Sequence, residues 1–374
     1  MKFLIITHVP HGNADGRFFA YAPYVREMNI WARYTDELII VAPLTLEEKT
    51  SISINYEKEG IKFIPINEFN VIGSKSKFHA IRDVPKIVFA IYKAMKEANH
   101  IHLRCPGNVG LLGCFVQVFF PNKPKTAKYA GNWDPKAKQP LSYRIQKWIL
   151  SNSLLTRNIQ VLVYGTWQNQ SKSIKSFFTA SYAEKDKIPI ENKTLQDGLK
   201  FVFVGTLAEG KNPLYAIKIV QEVSKSYSDI SLDIFGNGNL KPQLQKYIET
   251  HKLESIIFLK GNQTSEVIKT AYIKSHFVIL PSKSEGWPKV IAEGMFWKCL
   301  PISSKVSCIP DMLDKGTRGI LLEMNLERDV QQIIELLNNN SLYQKKVEEA
   351  IHWSRNFTTN LFEDEIQKLI SSST

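Results

Sequence analysis

The sequence predicts an α/β protein built from two doubly wound, Rossmann-like domains, and three observations lead there. The chain has 374 residues, too many for one ordinary core and suited to two of average size. Short apolar strands alternate with helical segments through both halves, the pattern of parallel sheets covered by helices. That alternation fades in the polar stretch 184–199, EKDKIPIENKTLQDGL. The expected domains are therefore residues 1–193 and 194–354, with a C-terminal helix over about 355–374 packing back on the first. Two such sheets facing a central cleft would turn their strand C-termini toward it, and ligands of doubly wound sheets bind at those ends.

The first half opens with a strand at 3–7, a polar glycine-containing loop over 8–17, a helix over 18–33 and a strand at 37–41. Further strands are expected at 61–66, 99–103 and 126–130. Between them 78–96 reads as a helix: Ile81, Val84, Val88, Ile91 and Met95 recur every three to four residues, Arg82, Lys86 and Lys93 form a basic stripe, and Pro85 sits in the first turn. The second half is more regular. Strands at 200–205 (KFVFVG), 231–235, 256–260 (IIFLK), 277–280 (FVIL), 300–303 and 319–322 alternate with helices or turns, one of them started by Pro213. Helices over 327–338, 341–353 and 358–371 follow without further strands.

Apolar residues make up 44% and charged residues 22%, as in a soluble globular protein. No stretch approaches the roughly 18 apolar residues of a spanning helix, and MKFLIITHVP is too short and strand-like for a signal peptide, so a cytoplasmic location is expected. Cys105, Cys114, Cys299 and Cys308 lack metal-site spacing and read as reduced thiols. The net charge of +12 lies wholly in the first half, where residues 1–193 hold 27 Lys+Arg against 15 Asp+Glu while 194–374 hold 21 of each. Residues 72–147 carry 14 basic against 3 acidic side chains. Such a surface attracts an anionic membrane leaflet or nucleic acid, or serves solubility.

Residues 279–301, ILPSKSEGWPKVIAEGMFWKCLP, read as a strand end, a short loop and a Pro-started helix with Glu285 and Glu293 eight positions apart. A helix N-terminus beside the amides of Gly286 and Trp287 makes an anion site, with one carboxylate on either side. That arrangement suits a diphosphate flanked by hydroxyl-rich sugars; the same residues also read as an ordinary βα junction with solvated acids. In the loop after strand 200–205, Lys211 is placed to reach an anion at the strand ends, and Asn262 follows strand 256–260. Gly236-Asn237-Gly238 lacks the third glycine of a dinucleotide fingerprint and is discounted.

The order GTLAEGKNP, LDIFGNGN, IIFLKGN and ILPSKSEGWPKVIAEGM resembles the donor-binding half of retaining GT-B glycosyltransferases of family 4, with Glu285 and Glu293 matching the E-x7-E motif. The resemblance covers residues 200–325 well and the first half loosely. It implies a nucleotide-sugar donor with Glu293 on the ribose hydroxyls, Lys211 on the diphosphate, and Glu285 with Gly286 and Trp287 around the transferred sugar. It implies transfer with retained configuration, no metal and no cofactor. Thr206 stands where the family commonly has Arg, with Arg17 a possible replacement, and Lys298 and Val306-Ser307 stand where it often has Gly.

The family's glycine-containing loop that closes over the donor is matched by 12–17, with Gly16 placed for close backbone approach. His102, Arg104, Asn132 and Asp134 end strands of the first half and are the acceptor-side candidates. The acceptor is expected to be a glycan or a lipid-linked molecule, reached at an anionic inner membrane face through 72–147. A sugar-nucleotide epimerase of the same fold is the second reading, and the E-x7-E segment argues against it. A nucleic-acid-binding protein, read from charge alone, lacks any recognition motif, so nucleic acid is not an expected partner.

Overall fold

The structure is a computed structural model describing residues 1–50, 52–67, 74–196 and 198–371, without side chains for 74–82. The basic positions Lys75, Lys77 and Arg82 therefore lie outside the described side chains, and residues 72 and 73 outside the description altogether. Two compact units make up the chain, Met1–Phe178 with Phe362–Thr374, and Thr179–Leu361. This division falls upstream of the polar stretch 184–199.

The first unit comprises β1 (Lys2–Ile6), β2 (Gly12–Ala14), β3 (Arg17–Tyr21), α1 (Ala22–Arg33), β4 (Glu37–Pro43), β5 (Ser53–Asn55), β6 (Lys62–Ile66), α2 (Ser74–Glu97), β7 (His100–Cys105), α3 (Asn108–Val116), β8 (Lys125–Tyr129), α4 (Leu141–Ser151), β9 (Ile159–Tyr164) and β10 (Ile174–Phe177). Seven strands form a parallel sheet ordered β10-β9-β8-β7-β1-β4-β6. Central strands such as β1 are apolar on both faces because helices cover both. One core gathers Leu4 and Ile6 of β1 with Ile87, Ile91 and Met95 of α2, Val109 and Cys114 of α3, and Ile149 and Leu150 of α4, so these three helices share one face of the sheet.

Two expectations for this unit are corrected. The loop after β1 contains a hairpin, β2 against β3, joined to β5 in a small antiparallel sheet, so the helix begins at Ala22 rather than 18. Asp15 and Gly16 turn that hairpin with φ of 51° and 76°, the paired left-handed conformation that an Asp-Gly dipeptide supports. Pro85 lies inside α2, which starts at Ser74, and not in the first turn.

The second unit comprises β11 (Leu199–Val204), α5 (Pro213–Ser224), β12 (Ile230–Phe235), α6 (Lys241–Thr250), β13 (Ile257–Gly261), α7 (Ser265–Lys274), β14 (Phe277–Leu280), α8 (Lys289–Phe296), β15 (Leu300–Ser304), α9 (Ile309–Met312), β16 (Ile320–Leu322), α10 (Leu326–Leu337) and α11 (Asn340–Ser354). Its six strands are all parallel, ordered β13-β12-β11-β14-β15-β16. Asn325 and Asn339 cap α10 and α11 by accepting the amides of Arg328 and Leu342 at 3.1 and 3.0 Å. The last helix, α12 (Thr359–Ser371), returns to the first unit, where Phe362 packs edge-on against Phe177 and Phe178.

Candidate functional site

In a doubly wound sheet the loops separate where strand order reverses, and a ligand fits the crevice between them. In the second unit that point lies between β11 and β14. Lys211 stands on the loop after β11 and Glu285 on the loop after β14. Their side chains meet there, with Lys211 Nζ donating to Glu285 Oε1 and Oε2 at 2.6 and 2.9 Å. Glu285 is 6% exposed and Lys211 33%, so the carboxylate is buried and the lysine side chain that bonds it is partly open to solvent. The loops are tied by the backbone as well, through Lys283 N–H to the Gly210 carbonyl at 2.8 Å.

Local sequence explains how Lys211 is presented. Asn212 takes φ 52° just before Pro213, so the chain turns sharply and α5 starts without needing the amide that proline lacks. The Gly236-Asn237-Gly238 segment, discounted as a fingerprint, extends the β11–β12 pairing past the strand ends: the Gly205 amide donates to Phe235 and the Leu207 amide to Asn237, both at 3.0 Å. A Cβ on Gly236 would overlap the Gly205 carbonyl, and one on Gly238 the Leu207 carbonyl. The two glycines allow close approach of backbone to backbone, a role their spacing alone did not reveal.

Glu293 lies on α8, whose N-cap is Pro288, one residue before the helical start expected for it. Its oxygens accept from Ser181 Oγ at 2.5 Å and Tyr272 Oη at 3.3 Å. Burial first, then the Glu293 charge, raises the Tyr272 pKa far above its ordinary value, so Tyr272 is a fixed donor. The Gly286 carbonyl accepts from Ser307 Oγ and Cys308 Sγ at 3.3 and 3.2 Å, and the Trp287 indole stacks on Trp353. Thr206 and Asn262 are exposed on the loops after β11 and β13. Lys283, missed in the sequence, is 59% exposed on the β14 loop and pairs with Glu209 at 3.2 Å.

Two departures gain a physical meaning. Lys298 and Ser307 adopt φ of 56° and 52°, the left-handed region that glycine enters without cost. Lys298 is compensated by its side chain, which reaches Glu348 at 2.7 Å and Asn192 at 2.5 Å, and Ser307 by its bond to Gly286.

In the first unit the strand order reverses between β1 and β7. His102 of β7 is fully buried, bonded through Nδ1 to Thr126 Oγ1 at 2.8 Å and stacked near Phe3 and Trp31, so it is a core residue and does not reach a solute. Arg104 donates to Glu27 at 2.8 Å, with Lys128 3.4 Å from the same carboxylate. Glu27 and Lys128 are buried and the Arg104 side chain is 12% exposed, and the triad carries one more cation than anion. Asn132 and Asp134 are half-buried and shape the loop after β8, the Asn132 side chain accepting the Asp134 amide at 2.9 Å and Asp134 that of Lys136 at 2.8 Å. Gly16 is placed by the hairpin turn, with open space around it, and exposed Arg17 pairs with Glu59 at 3.4 Å. His8, which the sequence reading passed over, stands at the end of β1 with its ring close to Gly107. Though His8 keeps an exposed edge, desolvation of its ring, ahead of the Arg104 charge, lowers its pKa, and strand order is the signal that could have found it.

Residues 184–353 match the family model of glycosyl transferases group 1. The poly(glycerol-phosphate) alpha-glucosyltransferase of Bacillus subtilis is 29% identical over 187 residues, 49% of this chain and 27% of that protein. The poly(ribitol-phosphate) alpha-N-acetylglucosaminyltransferase of Staphylococcus aureus is 23% identical over 319 residues, 79% of this chain and 62% of that protein. The chain thus spans less than two thirds of the length of these curated relatives. Among solved structures, HepE of Anabaena in complex with UDP and glucose shares the fold with a TM-score of 0.69 at 14% identity, covering 100% of both chains. Residues 184–353, nearly all of the second unit, are therefore similar to a glycosyl transferases group 1 domain, on a chain whose two Rossmann-like units have the GT-B fold.

Proposed function

We propose that the chain is a retaining, metal-independent glycosyltransferase of family 4. It moves a sugar from a nucleotide-sugar donor to a glycan or lipid-linked acceptor in the synthesis of cell-surface polysaccharide or glycoconjugate. The observation that carries this reading is the meeting of Lys211 and Glu285 at the strand-order reversal of the second unit, with Glu293 on the adjoining helix. In support, the relatives from Bacillus subtilis and Staphylococcus aureus are named as alpha-glycosyltransferases. These names give no support to an epimerase.

In this reading the donor diphosphate pairs with the partly exposed Lys211, and the ribose hydroxyls replace the Ser181 hydroxyl on Glu293. Thr206 brings no charge, and Lys283, hydrogen-bonded through its backbone to the Lys211 loop, supplies the second cation in place of Arg17. The acceptor oxygen bonds to the anomeric carbon on the face from which the diphosphate leaves, and the acceptor proton passes to a departing phosphate oxygen. Charge on the leaving group is stabilised by Lys211 and the N-terminus of α8. Glu285 holds Lys211 in place and lines the sugar site with Gly286 and Trp287, while Asn262 meets the base. The protein works in the cytoplasm, at the inner membrane face.

A thermal-shift panel of UDP-, GDP- and ADP-sugars tests this reading, because a ligand that binds only the folded state raises the melting temperature. One nucleotide class should raise it; no shift with any class would sink the proposal.

A further inference from the structure

The outer surface of the first unit carries an unusual set of side chains. On α2 the outward positions Lys86, Phe89, Tyr92, Lys93 and Lys96 recur at helical spacing, with Phe89 58% exposed and the Lys93 ammonium 4.6 Å from its ring. The neighbouring α3 and its short continuation present Phe115 and Phe119, the latter 73% exposed. On α4, Leu141 and Trp148 flank Arg144, with Trp148 60% exposed, and Leu154 follows in the next loop. These helices share one core on the same face of the sheet, and Tyr92 of α2 packs 5.2 Å from Phe120, so their outer sides form one surface.

Water is a poor neighbour for that many aromatic rings on one face, and such patches mark interaction sites. In the second unit, the large apolar side chains that reach solvent, Ile188, Val267, Met324 and Leu342, are scattered and each less than half exposed. Charge decides which partner fits. Neither α3 nor α4 contains an acidic residue. On α2, Glu97 is held by Lys62 at 2.7 Å and Asp83 by Asn67 at 3.0 Å. The face thus offers cations interleaved with aromatic rings, and of the two α2 carboxylates Glu97 is neutralised by Lys62 while Asp83, held by an amide, keeps its charge. Trp, Tyr and Phe with Lys and Arg are the residues that settle at the headgroup level of a bilayer. No helix among the described residues is long and apolar enough to cross a membrane, so contact would be made by lying on it.

We infer that the α2–α3–α4 face docks on an anionic lipid surface, with Phe89, Phe115, Phe119 and Trp148 entering the headgroup layer and Lys93, Lys96 and Arg144 pairing with lipid phosphates. The inference rests on the membrane-surface acceptor in the proposed function, and it places that contact on named helices instead of on net charge alone.

Flotation of the whole chain with phosphatidylcholine vesicles, with and without phosphatidylglycerol, tests it. The protein should float with the anionic vesicles and be released by high salt, which screens exposed charges. Phe115→Ser/Phe119→Ser/Trp148→Ser should weaken binding at least about tenfold, and Lys93→Glu/Arg144→Glu should abolish the preference for phosphatidylglycerol. Brominated lipid should quench tryptophan fluorescence in the wild type and far less in Trp148→Phe. Failure to float, or flotation indifferent to both multiple variants, would overturn the inference. So would light scattering that shows a dimer dissociated by the serine variant, since the face would then bind a second copy. The nucleotide thermal shift, measured on the same variants, should be unchanged. Flotation without any nucleotide shift would sink the transferase reading and leave the docking face standing.

Discussion

The two units share an architecture and differ in where they keep their charge. In the second, acidic and basic residues are nearly balanced, and of its buried carboxylates Asp329 is held by the Tyr215 hydroxyl and two backbone amides while Glu285 meets a partly exposed lysine. The first unit buries Glu27 with two cations and encloses His11, His100 and His102, all with 0% exposure. The proposed donor site keeps a partly exposed cation beside its buried carboxylate. A unit that buries its ionisable groups depends on pH and on single partners. The comparison can be broken or sharpened by experiments of decreasing expected effect.

The largest effect is expected from acid. Burial lowers the pKa of His11 and of His100 to about 4 and that of His102 further, so protons bind the unfolded chain more readily than the folded one. Their stabilisation is complete above the ordinary histidine pKa near 6.5 and is lost as pH falls from there toward 4, at about 3 kcal/mol each for His11 and His100. Hydrogen exchange resolved by peptide should show first-unit protection collapsing between these values and second-unit protection persisting. Equal loss in both units would break the comparison.

Next in size is Glu27→Ala, which leaves Arg104 and Lys128 as buried cations without their anion and should cost about 3–5 kcal/mol in urea unfolding. Lys211→Ala should lower turnover about 100- to 1,000-fold, as loss of one preorganised charge-stabilising group does. Glu293→Ala should weaken donor binding roughly 10- to 100-fold in calorimetry, the range for hydrogen bonds to a charged group. The smallest change is expected for Ser307→Gly, where relief of a left-handed φ of 52° is offset by glycine's greater freedom when unfolded. Its unfolding free energy should move by less than about 1 kcal/mol, and a larger loss would mean that the Ser307–Gly286 bond outweighs the backbone.

The second unit was largely legible in the sequence because each strand is a short apolar run bounded by glycine, proline or a capping residue, and all six lie close to their expected places. The first unit was less so. The second hairpin strand, Arg17–Tyr21, takes up the first residues of the helix expected from 18, although Asp15-Gly16 carries a turn signal. β9 and β10, IQVLVY and IKSF, lie where no strand was expected. At the site, Lys211 and Glu285 were each named, but their pairing was not visible, because it depends on two strands 74 residues apart becoming neighbours in the sheet. His102 misled for a related reason, since a histidine near a strand end can point into the core, and only the packing of Phe3 and Trp31 shows that this one does.

The central claim is that a nucleotide-sugar binds at the strand-order reversal of the second unit. Hydrogen exchange of the whole chain with the nucleotide-sugar that gives the largest thermal shift tests it most directly. The account predicts new protection in residues 205–212 and 281–296, lost in Glu293→Ala. Protection confined to other segments, or unchanged in that variant, would contradict it.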